Sequence, residues 1–490
     1  MRLGKIIKKC KTFVEIKNFL DFEVKGISDN SKRIKENFIF AAVKGEKQNG
    51  ESFIPTLSKI KKVAIIVSEN YEIKSKSSNF VFIKCKSVRK VLSEVSSIIF
   101  TNNVNQKIAV TGTNGKTSVV HYTRQIWNIL GKNNSGIGTL GIFFNNKKIM
   151  KSDLTTSNSI TNHKILSKLS KKNCEKVIFE ASSIGLDQYR LFPIKFDKVA
   201  FTNLSRDHLD YHKKFDVYKK SKSLLFSEYT KKNSVAVIFS DSKYSDYFKD
   251  ICNRKGLKIL DYGRKASFLK IKNIKKLSDK FFVSVDLNRK NLDFEIEASS
   301  EYEILNKICS LLLVFAHKIK KTHFKIIHKL NSPSGRLEKI YNKNDLQVFI
   351  DYAHSPNALK VVLQSLRRLT KRSLILVFGC GGDRDKGKRS MMTKIAVKFA
   401  DQIIITNDNP RFENPKTIIN DMIAEINNEN LKKIKKIESR ERAIMSSINI
   451  IKPHDILLIA GKGHENYQIV KKKKILFSDK DIALKYLLKK

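Results

Sequence analysis

The alternation of apolar and polar positions along the chain predicts strands that alternate with helices. Short apolar runs bounded by polar turns predict strands, and apolar residues recurring every three or four positions predict helices. In the first part of the chain, strands are predicted at 37–43, 63–67 and 80–84, and a helix at 87–100. The polar segment 101–106 that follows has the composition of a linker.

The same alternation continues in two longer stretches. The first contains predicted strands at 107–111, 176–181, 198–202 and 234–240, a helix at 116–130 and a strand hairpin at 281–298. The second contains predicted strands at 347–351, 373–378, 402–406 and 455–460, and helices at 357–369, 391–399 and 416–427. Such alternation is typical of parallel sheets with helical crossovers. We therefore expect an α/β protein with domains at 1–104, 105–330 and 331–490.

Length and composition support a globular protein of several domains. The 490 residues suggest about three domains at ~150 residues each, and 41% apolar with 29% charged residues excludes disordered and fibrous chains. No apolar run approaches the ~18 residues of a membrane span; the richest, 311–316, predicts a buried helix. Residues 1–20 lack the apolar core of a secretory signal, and the six cysteines are scattered without a Cys-x-x-Cys pair. We expect neither disulfides nor a zinc site, and a cytoplasmic location.

The net charge of +49 has two interpretations. A basic surface is typical of proteins that bind nucleic acid or anionic membranes. The lysines are instead spread along the whole chain, and the longest pure run, 471–474, predicts a solvated turn between two strands. We favour a composition rich in lysine throughout, expect no nucleic-acid partner and no membrane insertion, and keep a nucleic-acid-binding protein as an alternative.

A glycine loop between a predicted strand and a predicted helix is the most specific motif. It consists of Gly112, Thr113, Asn114, Gly115, Lys116, Thr117 and Ser118. Glycines let backbone amides surround phosphate oxygens, and the following helix N-terminus favours negative charge. The Lys116 ammonium can reach the β- and γ-phosphates, and the Thr117 hydroxyl can ligate Mg²⁺. The loop predicts binding of a nucleoside triphosphate.

This loop and several later segments, in the same order, resemble the Mur ligase family and its folylpolyglutamate synthetase relatives. The segments are VTGTNGKTS (110–118), EASSIGL (180–186), DQYR (187–190), TNLSRDHLDYH (202–212), YKKSK (218–222), DYAHSP (351–356) and GCGGDRDKGKR (379–389). The resemblance covers nearly the whole chain. It implies a small N-terminal nucleotide-sugar domain, a central P-loop ATPase-like domain and a C-terminal Rossmann-like domain that binds an amino acid.

The resemblance implies amide-bond formation driven by ATP and Mg²⁺. ATP phosphorylates a carboxylate, and an amine then attacks the acyl phosphate. In the family pattern, Lys116 binds the ATP phosphates, and Glu180 and His208 ligate Mg²⁺. Lys222 becomes a further metal ligand after carbamylation by CO₂ to N6-carboxylysine. Arg336, Asp351 and His354 match ATP contacts of the family.

The segments most resemble the family members that extend UDP-N-acetylmuramoyl-L-Ala-D-Glu. The residues implied for that substrate are Ser31, Thr155, Thr156, Ser182, Gln188 and Arg190. Some neighbouring positions depart from the family pattern, namely Asn30, Lys32, Ser157 and Ile184. These departures concern the nucleotide-sugar pocket and not the reaction.

Residues from three stretches of the last predicted domain indicate which amino acid is added. The residues implied are Arg384, Asp408, Asn409, Pro410, Arg411, Gly461 and Glu465. The distal end of meso-diaminopimelate carries a carboxylate, which an arginine fork can hold, and an ammonium, which carboxylates and amides can accept. Lysine lacks that carboxylate, so Arg411 favours diaminopimelate over lysine.

Other functions stay open at this point. A lysine-adding ligase, a folylpolyglutamate synthetase and a non-catalytic scaffold are the alternatives among related chains. The N-terminal domain argues against folylpolyglutamate synthesis, and the set formed by Lys116, Glu180, His208 and Lys222 argues against a scaffold. We expect a monomeric enzyme that acts on small molecules.

Overall fold

The computed structural model describes residues 1–45, 48–73, 79–277, 280–343 and 345–489. Three large sheets follow one another along the chain, and helices pack against them. The fold is therefore α/β, as the sequence pattern predicts. Over these described ranges, no helix has both the length and the apolarity required to cross a membrane.

The first sheet has five strands in the order β1-β5-β4-β3-β2, and β2 to β5 run parallel. Its elements are α1 (Leu3–Lys9), β1 (Glu15–Lys17), β2 (Gly26–Ser28), β3 (Phe38–Ala41), β4 (Val63–Ser68), β5 (Phe80–Cys85) and α2 (Val88–Ile99), with 3-10 helices at Ser31–Arg33 and Gly50–Leu57. Helix α2 begins where predicted, because the Ser87 side chain accepts a hydrogen bond from the Lys90 backbone N–H.

The central sheet has eleven strands. Its strands are β6 (Gln106–Thr111), β7 (Asn134–Gly138), β8 (Gly141–Phe144), β9 (Lys147–Met150), β10 (Lys176–Glu180), β11 (Phe196–Phe201), β12 (Thr230–Phe239), β13 (Lys258–Gly263), β14 (Leu269–Leu277), β15 (Lys280–Leu287) and β16 (Lys290–Ile296). Its helices are α3 (Lys116–Ile129), α4 (Ser159–Ser170), α5 (Ser183–Asp187), α6 (Leu209–His212), α7 (Phe215–Ser227), α8 (Ser245–Lys255) and α9 (Glu301–Phe315), followed by 3-10 helices at Ala316–Lys318 and Lys321–Lys329.

Strand β6 lies in the parallel part of this sheet, between β10 and β11. The carboxyl ends of parallel neighbours meet at one edge, so the segments after these three strands lie together. Those segments begin with Gly112, Ala181 and Thr202. The predicted hairpin at 281–298 is confirmed as β15 and β16, which extend the sheet through antiparallel pairing with β14.

The third sheet has the order β17-β18-β22-β19-β20-β21, with β17 as an antiparallel edge strand. The strands of this region, including a separate hairpin of β23 and β24, are β17 (Glu338–Lys343), β18 (Leu346–Asp351), β19 (Leu374–Phe378), β20 (Gln402–Ile405), β21 (Ile434–Lys436), β22 (Ile456–Ala460), β23 (Tyr467–Val470) and β24 (Lys473–Leu476). Its helices are α10 (Pro356–Arg367), α11 (Lys388–Phe399), α12 (Pro415–Ile423), α13 (Asn428–Leu431), α14 (Arg440–Ile450) and α15 (Asp479–Leu487).

Two predicted elements differ from the structure. The helix predicted at 416–427 ends at Ile423, because the Asn427 side chain caps the separate helix α13 through the Asn430 N–H. The predicted turn at 471–474 is shorter, because Lys473 and Lys474 belong to β24 and pair with Val470 and Ile469. Strand β24 consists of two lysines followed by Ile475 and Leu476, all exposed, so it has no alternation of apolar and polar positions that would reveal it in the sequence.

Candidate active site

The glycine loop curls at the carboxyl end of β6. Gly112 and Gly115 have φ angles of +156° and +88°, and Lys116 begins α3. A Cβ on Gly112 would lie 1.9 Å from the Thr202 Oγ1 atom, so no larger residue fits there. The Thr113 hydroxyl is 2.9 Å from the Tyr218 hydroxyl, which ties the loop to α7. The sequence therefore folds this segment into a tight, anchored loop at a helix N-terminus, the geometry suited to a phosphate group.

Two lysines converge on this loop. The Lys116 Nζ donates to the Gly112 and Thr113 carbonyl oxygens at 2.7 and 2.8 Å. The Lys222 Nζ, on the buried face of α7, donates to the same Gly112 oxygen at 2.8 Å and lies 4.7 Å from the Tyr218 ring centroid. Burial and the charge of Lys116 lower the pKa of Lys222 well below its usual value, although Asp207 opposes the shift. The uncharged amine form of Lys222 is therefore more accessible than that of an exposed lysine.

Glu180, the last residue of β10, lies directly beside the loop. Its Oε2 accepts hydrogen bonds from the hydroxyls of Thr117 at 2.9 Å and Thr139 at 3.0 Å, and its Oε1 accepts from the Thr139 N–H at 2.8 Å. Gly138 provides the necessary space, because a Cβ there would lie 2.1 Å from Glu180 Oε1. Thr139 has no role in the sequence prediction, since β7 was not predicted.

His208 lies on the loop after β11, with a positive φ angle of 53°. Such a conformation is uncommon outside glycine and is often held at functional sites. Its Nε2 is 3.6 Å from the Asp207 Oδ2. Burial lowers the pKa of His208, and Asp207 acts in the opposite direction. Asp207 itself was not predicted, although it adjoins a predicted ligand.

Glu180, His208 and Lys222 surround the glycine loop but form no ready metal cluster. Over the described ranges, no group of three or more His, Cys, Asp or Glu side chains is placed to hold a metal ion. The donors present, a carboxylate beside the Thr117 hydroxyl, are the oxygen ligands that Mg²⁺ prefers.

A cavity of about 310 Å³ opens between the glycine loop and the third sheet. Asn114, Gly115, Arg336 and Asp351 are among its lining residues. The Arg336 Nη2 donates to Thr117 Oγ1 at 3.2 Å, so the third region reaches the loop directly. Burial raises the pKa of Asp351 to about 6, against the effect of Arg336. The size, position and polar lining suit a nucleotide.

His354 adjoins this arrangement. Its Nδ1 is 2.8 Å from the Tyr352 carbonyl oxygen, and the Lys388 Nζ donates to the His354 carbonyl oxygen at 2.8 Å. Burial lowers the pKa of His354 to about 4, although Asp207 on the central region raises it. Further pairs cross between the two regions, including Arg206 with Asp385 at 3.2 Å.

The residues predicted for the dipeptide form a second group next to Glu180. The Thr156 hydroxyl donates to the Glu180 carbonyl oxygen at 2.7 Å, and Ser182 N–H donates to Thr156 Oγ1 at 2.9 Å. The Arg190 Nη2 donates to Gln188 Oε1 at 2.7 Å, and its Nη1 donates to the Thr156 carbonyl oxygen at 2.9 Å. Thr155 joins them through Thr139, whose hydroxyl is 3.2 Å from Thr155 Oγ1.

Ser31 lies apart from that group, at the start of a 3-10 helix in the first region. Its neighbours Asp29 and Arg33 line a cavity of about 450 Å³ that also contacts Ile142, Met150 and Lys164 of the central region. The structure therefore places Ser31 near a separate opening between the first two sheets.

The residues predicted for the amino acid gather at the carboxyl edge of the third sheet. The Arg411 backbone has a φ angle of 53°, and its Nη1 donates to the Gly382 carbonyl oxygen at 2.8 Å. The pKa of Arg411 is lowered by burial and by the nearby Arg384, whose own Nη1 lies 3.5 Å from Asp210 of the central region. The Arg384 guanidinium thus reaches the central region, and the Arg411 guanidinium lies near it within the third region.

Asp408, Asn409 and Glu465 form the other half of this group. The Asn409 Nδ2 donates to Glu465 Oε2 at 3.1 Å, and a Cβ on Gly461 would lie 2.7 Å from Asp408 Oδ2. Pro410 connects these residues to Arg411. The Lys462 side chain, fully buried, lies among them, with its Nζ 3.0 Å from Glu465 Oε2. Lys462 was not predicted; the available signal was its position two residues after a buried strand.

Comparison with known proteins agrees with this geometry. The chain matches the Mur ligase middle domain at residues 110–314 and the Mur ligase glutamate ligase domain at residues 335–463. It is 38% identical to UDP-N-acetylmuramoyl-L-alanyl-D-glutamate--2,6-diaminopimelate ligase of Rickettsia conorii, covering 95% of this chain and 96% of that protein. The similarly named protein of Brucella melitensis is 34% identical, covering 94% and 93%.

A solved structure gives the same result in three dimensions. A structure of a UDP-N-acetylmuramoyl-L-alanyl-D-glutamate--2,6-diaminopimelate ligase aligns with a TM-score of 0.64 and 27% identity, covering 95% of each chain. The similarity thus includes all three sheets and the segments that connect them. On these matches and on the arrangement around the glycine loop, the chain belongs to the Mur ligase family.

Proposed function

We propose that this protein is an ATP-dependent ligase that joins meso-diaminopimelate to UDP-N-acetylmuramoyl-L-Ala-D-Glu. The bond formed is an amide between an amino group of diaminopimelate and the γ-carboxylate of D-glutamate. ATP is cleaved to ADP and phosphate. The product is a precursor of peptidoglycan, and the enzyme works in the cytoplasm as a monomer.

The observation that carries this proposal is the grouping of Lys116, Thr117, Glu180 and Lys222 around one glycine loop. Their side chains are joined by hydrogen bonds of 2.7 to 2.9 Å to Gly112 or to one another. Phosphoryl transfer depends on positioning and on neutralising charge, which a loop with a lysine and metal-binding oxygens provides. The names of the relatives, over nearly the full length, support the choice of substrates.

In the first step, a carboxylate oxygen of D-glutamate attacks the γ-phosphorus of ATP. A new P–O bond forms, the bond to the β-phosphate oxygen breaks, and ADP leaves. The backbone N–H groups of 112–118 surround the phosphates, and the Lys116 ammonium offsets their charge. Lys116 would exchange its present bonds to Gly112 and Thr113 for phosphate oxygens.

In the second step, the amine nitrogen attacks the acyl carbon. A C–N bond forms, the phosphate leaves with the C–O bond electrons, and the nitrogen loses a proton to solvent. Arg384 and Arg411 hold the distal carboxylate of diaminopimelate, and Asp408 and Glu465 accept its distal ammonium. Asn409 belongs to the same pocket and donates to Glu465. Pro410 and Gly461 shape the backbone of the same pocket. This pocket places the amine across the domain interface from the dipeptide.

Mg²⁺ fits the donors present: Thr117 would ligate one ion at the phosphate loop, and Glu180, His208 and carbamylated Lys222 would ligate a second. These ions would neutralise charge on the transferred phosphoryl group. In the carbamylation, the neutral Lys222 amine attacks CO₂, an N–C bond forms and one proton is released. The lowered pKa of Lys222 favours the amine form that reacts. The carbamate is an anion, which the adjacent Lys116 stabilises.

We assign one substrate to each region of the chain. Residues 1–104 hold the uridine nucleotide, with Ser31 as a contact, and Thr155, Thr156, Ser182, Gln188 and Arg190 hold the muramoyl dipeptide. Residues 105–330 hold ATP, with Arg336, Asp351 and His354 contributed by the third region. Residues 331–490 hold the amino acid.

The test is a turnover assay on the full-length protein. ATP, Mg²⁺ and UDP-N-acetylmuramoyl-L-Ala-D-Glu are supplied with and without meso-diaminopimelate, and product mass and phosphate release are measured. We expect one phosphate per amide formed, and neither in the Lys116→Ala variant. Phosphate release that is independent of both substrates would refute the proposal.

A further inference from the structure

We infer that Lys462 is a positioning residue for the distal end of the amino-acid substrate; this rests on the proposed function. Lys462 is the second residue after β22, and its side chain has no exposed surface. A buried ammonium is costly unless ionic and hydrogen-bonding partners compensate it. The partners of Lys462 are all residues assigned to the amino acid.

The first consequence concerns the Asn409 amide. Its Oδ1 accepts hydrogen bonds from the Lys462 Nζ at 3.2 Å and from the Ile469 N–H at 2.8 Å. Because both neighbours are donors, the oxygen must lie on that side. The Asn409 NH₂ group is therefore directed to Glu465, which accepts at 3.1 Å. Lys462 and the Ile469 N–H together select one of the two orientations of this amide.

The second consequence concerns the two carboxylates. The Lys462 Nζ is 3.0 Å from Glu465 Oε2 and 3.9 Å from Asp408 Oδ1. Two carboxylates held at one site repel each other, and an ammonium between them offsets that repulsion. Glu465 Oε2 is occupied by Lys462 and Asn409, so the remaining carboxylate acceptors are fixed in direction. Lys462 therefore fixes the Asp408 and Glu465 carboxylates in the position from which they face the substrate ammonium.

The third observation links Lys462 to the arginine side of the pocket. The Ile469 N–H that shares Asn409 Oδ1 belongs to β23, and the Ile469 carbonyl oxygen accepts from the Arg411 N–H at 3.0 Å. The Asn409 side chain therefore connects Lys462 to β23, the strand to which the Arg411 backbone is hydrogen-bonded. Loss of Lys462 would loosen both the ammonium and the carboxylate sides of the pocket.

The experiment compares Lys462→Met with the wild type in full-length protein. The aliphatic side chain fills the space but removes the charge and both donated bonds. We expect KM for meso-diaminopimelate to rise about 10- to 100-fold, since a hydrogen bond to a charged group contributes about 1.5–3 kcal/mol. The kcat at saturating diaminopimelate, and KM for ATP and for the nucleotide dipeptide, should change by less than about twofold. A role in folding alone would not produce this split.

Lys198→Met is the matched control. The Lys198 Nζ also donates two bonds, to the Leu313 and Val314 carbonyl oxygens at 2.8 Å, on the central sheet. We expect this variant to lower the melting temperature without changing KM for diaminopimelate. If Lys462→Met does not fold, Lys462→Gln, which keeps a donor for Asn409, should raise the same KM.

The outcomes separate this inference from the proposed function. Wild-type protein that makes no product would refute the proposed function, and stabilisation against heat by diaminopimelate would then test Lys462 without turnover. In that measurement, equal stabilisation of wild type and Lys462→Met would overturn the inference. Active wild type with an unchanged KM for diaminopimelate in the folded variant would also overturn it.

Discussion

The side-chain amines of Lys116 and Lys222 donate to one acceptor, the Gly112 carbonyl oxygen, at 2.7 and 2.8 Å. Two ammonium groups at one neutral oxygen repel each other, and burial adds to the cost of charging both. The pKa of Lys222 is accordingly lowered well below its usual value. The pair therefore favours one charged and one uncharged lysine at the phosphate loop.

Lys222→Ala should reduce ligation to near background. The variant loses the amine that would become a carbamate ligand, while Lys116 keeps its place on the loop. Short carboxylic acids should restore part of the activity by entering the vacated space. The measurement is turnover with and without added acetate or propionate, with Lys220→Ala, an exposed lysine of the same helix, as control. Full activity in Lys222→Ala would remove the assignment.

Gly112→Ala should abolish ATP binding. The added Cβ would lie 1.9 Å from Thr202 Oγ1, so the loop cannot keep its form. Gly131→Ala is the matched control, because Gly131 also has a positive φ, 66°, but open space around it. The control should lose about 1–2 kcal/mol of stability and keep its activity. ATP-dependent thermal shifts and turnover distinguish the two variants, and equal behaviour would contradict the loop assignment.

Arg411→Leu should raise KM for meso-diaminopimelate about 10- to 100-fold, because a charge-assisted bond to the distal carboxylate is lost. KM for the nucleotide dipeptide should not change. Arg289→Leu is a suitable control: Arg289 has a similar φ of 66° but lies exposed in the turn between β15 and β16. Steady-state kinetics with each substrate varied in turn provide the measurement. An unchanged KM in Arg411→Leu would place the carboxylate elsewhere.

Asp351 predicts a specific pH dependence of stability. Its pKa is raised by burial to about 6 in the folded protein, against ~3.9 in an unfolded chain. The folded state therefore binds the proton more tightly, and this stabilising contribution is full below pH ~4 and lost as pH rises through ~6. The loss amounts to at most about 3 kcal/mol.

Denaturant unfolding of wild type and Asp351→Asn at several pH values tests this dependence. The variant cannot titrate at this position, so the stability difference should move in its favour between pH ~4 and ~6. A stability difference that stays constant across that range would mean that the Asp351 carboxyl is already ionised in the folded protein at pH ~4, so that its pKa is not raised.

The sequence predicted the parts of the site that follow strands. Alternation of strands and helices predicts that Glu180 and the glycine loop both lie at the carboxyl edge of a parallel sheet. Their grouping at one site was implied by the resemblance to the Mur ligases, and in the structure they end neighbouring strands. Lys462 was missed although it lies shortly after a buried strand, because composition alone does not distinguish one buried lysine among 96 Lys and Arg residues. Thr139 was missed because β7 is short and rich in glycine and polar residues. Side chains that act through other side chains require the tertiary structure.

The most direct test of the account is a competition between two amino acids. Purified protein is given ATP, Mg²⁺ and UDP-N-acetylmuramoyl-L-Ala-D-Glu with equal concentrations of meso-diaminopimelate and L-lysine, and the products are weighed by mass spectrometry. The account predicts a product that carries diaminopimelate alone. A lysine product would contradict the roles of Arg384 and Arg411, and the absence of any product with ATP intact would contradict the proposed ligase activity itself.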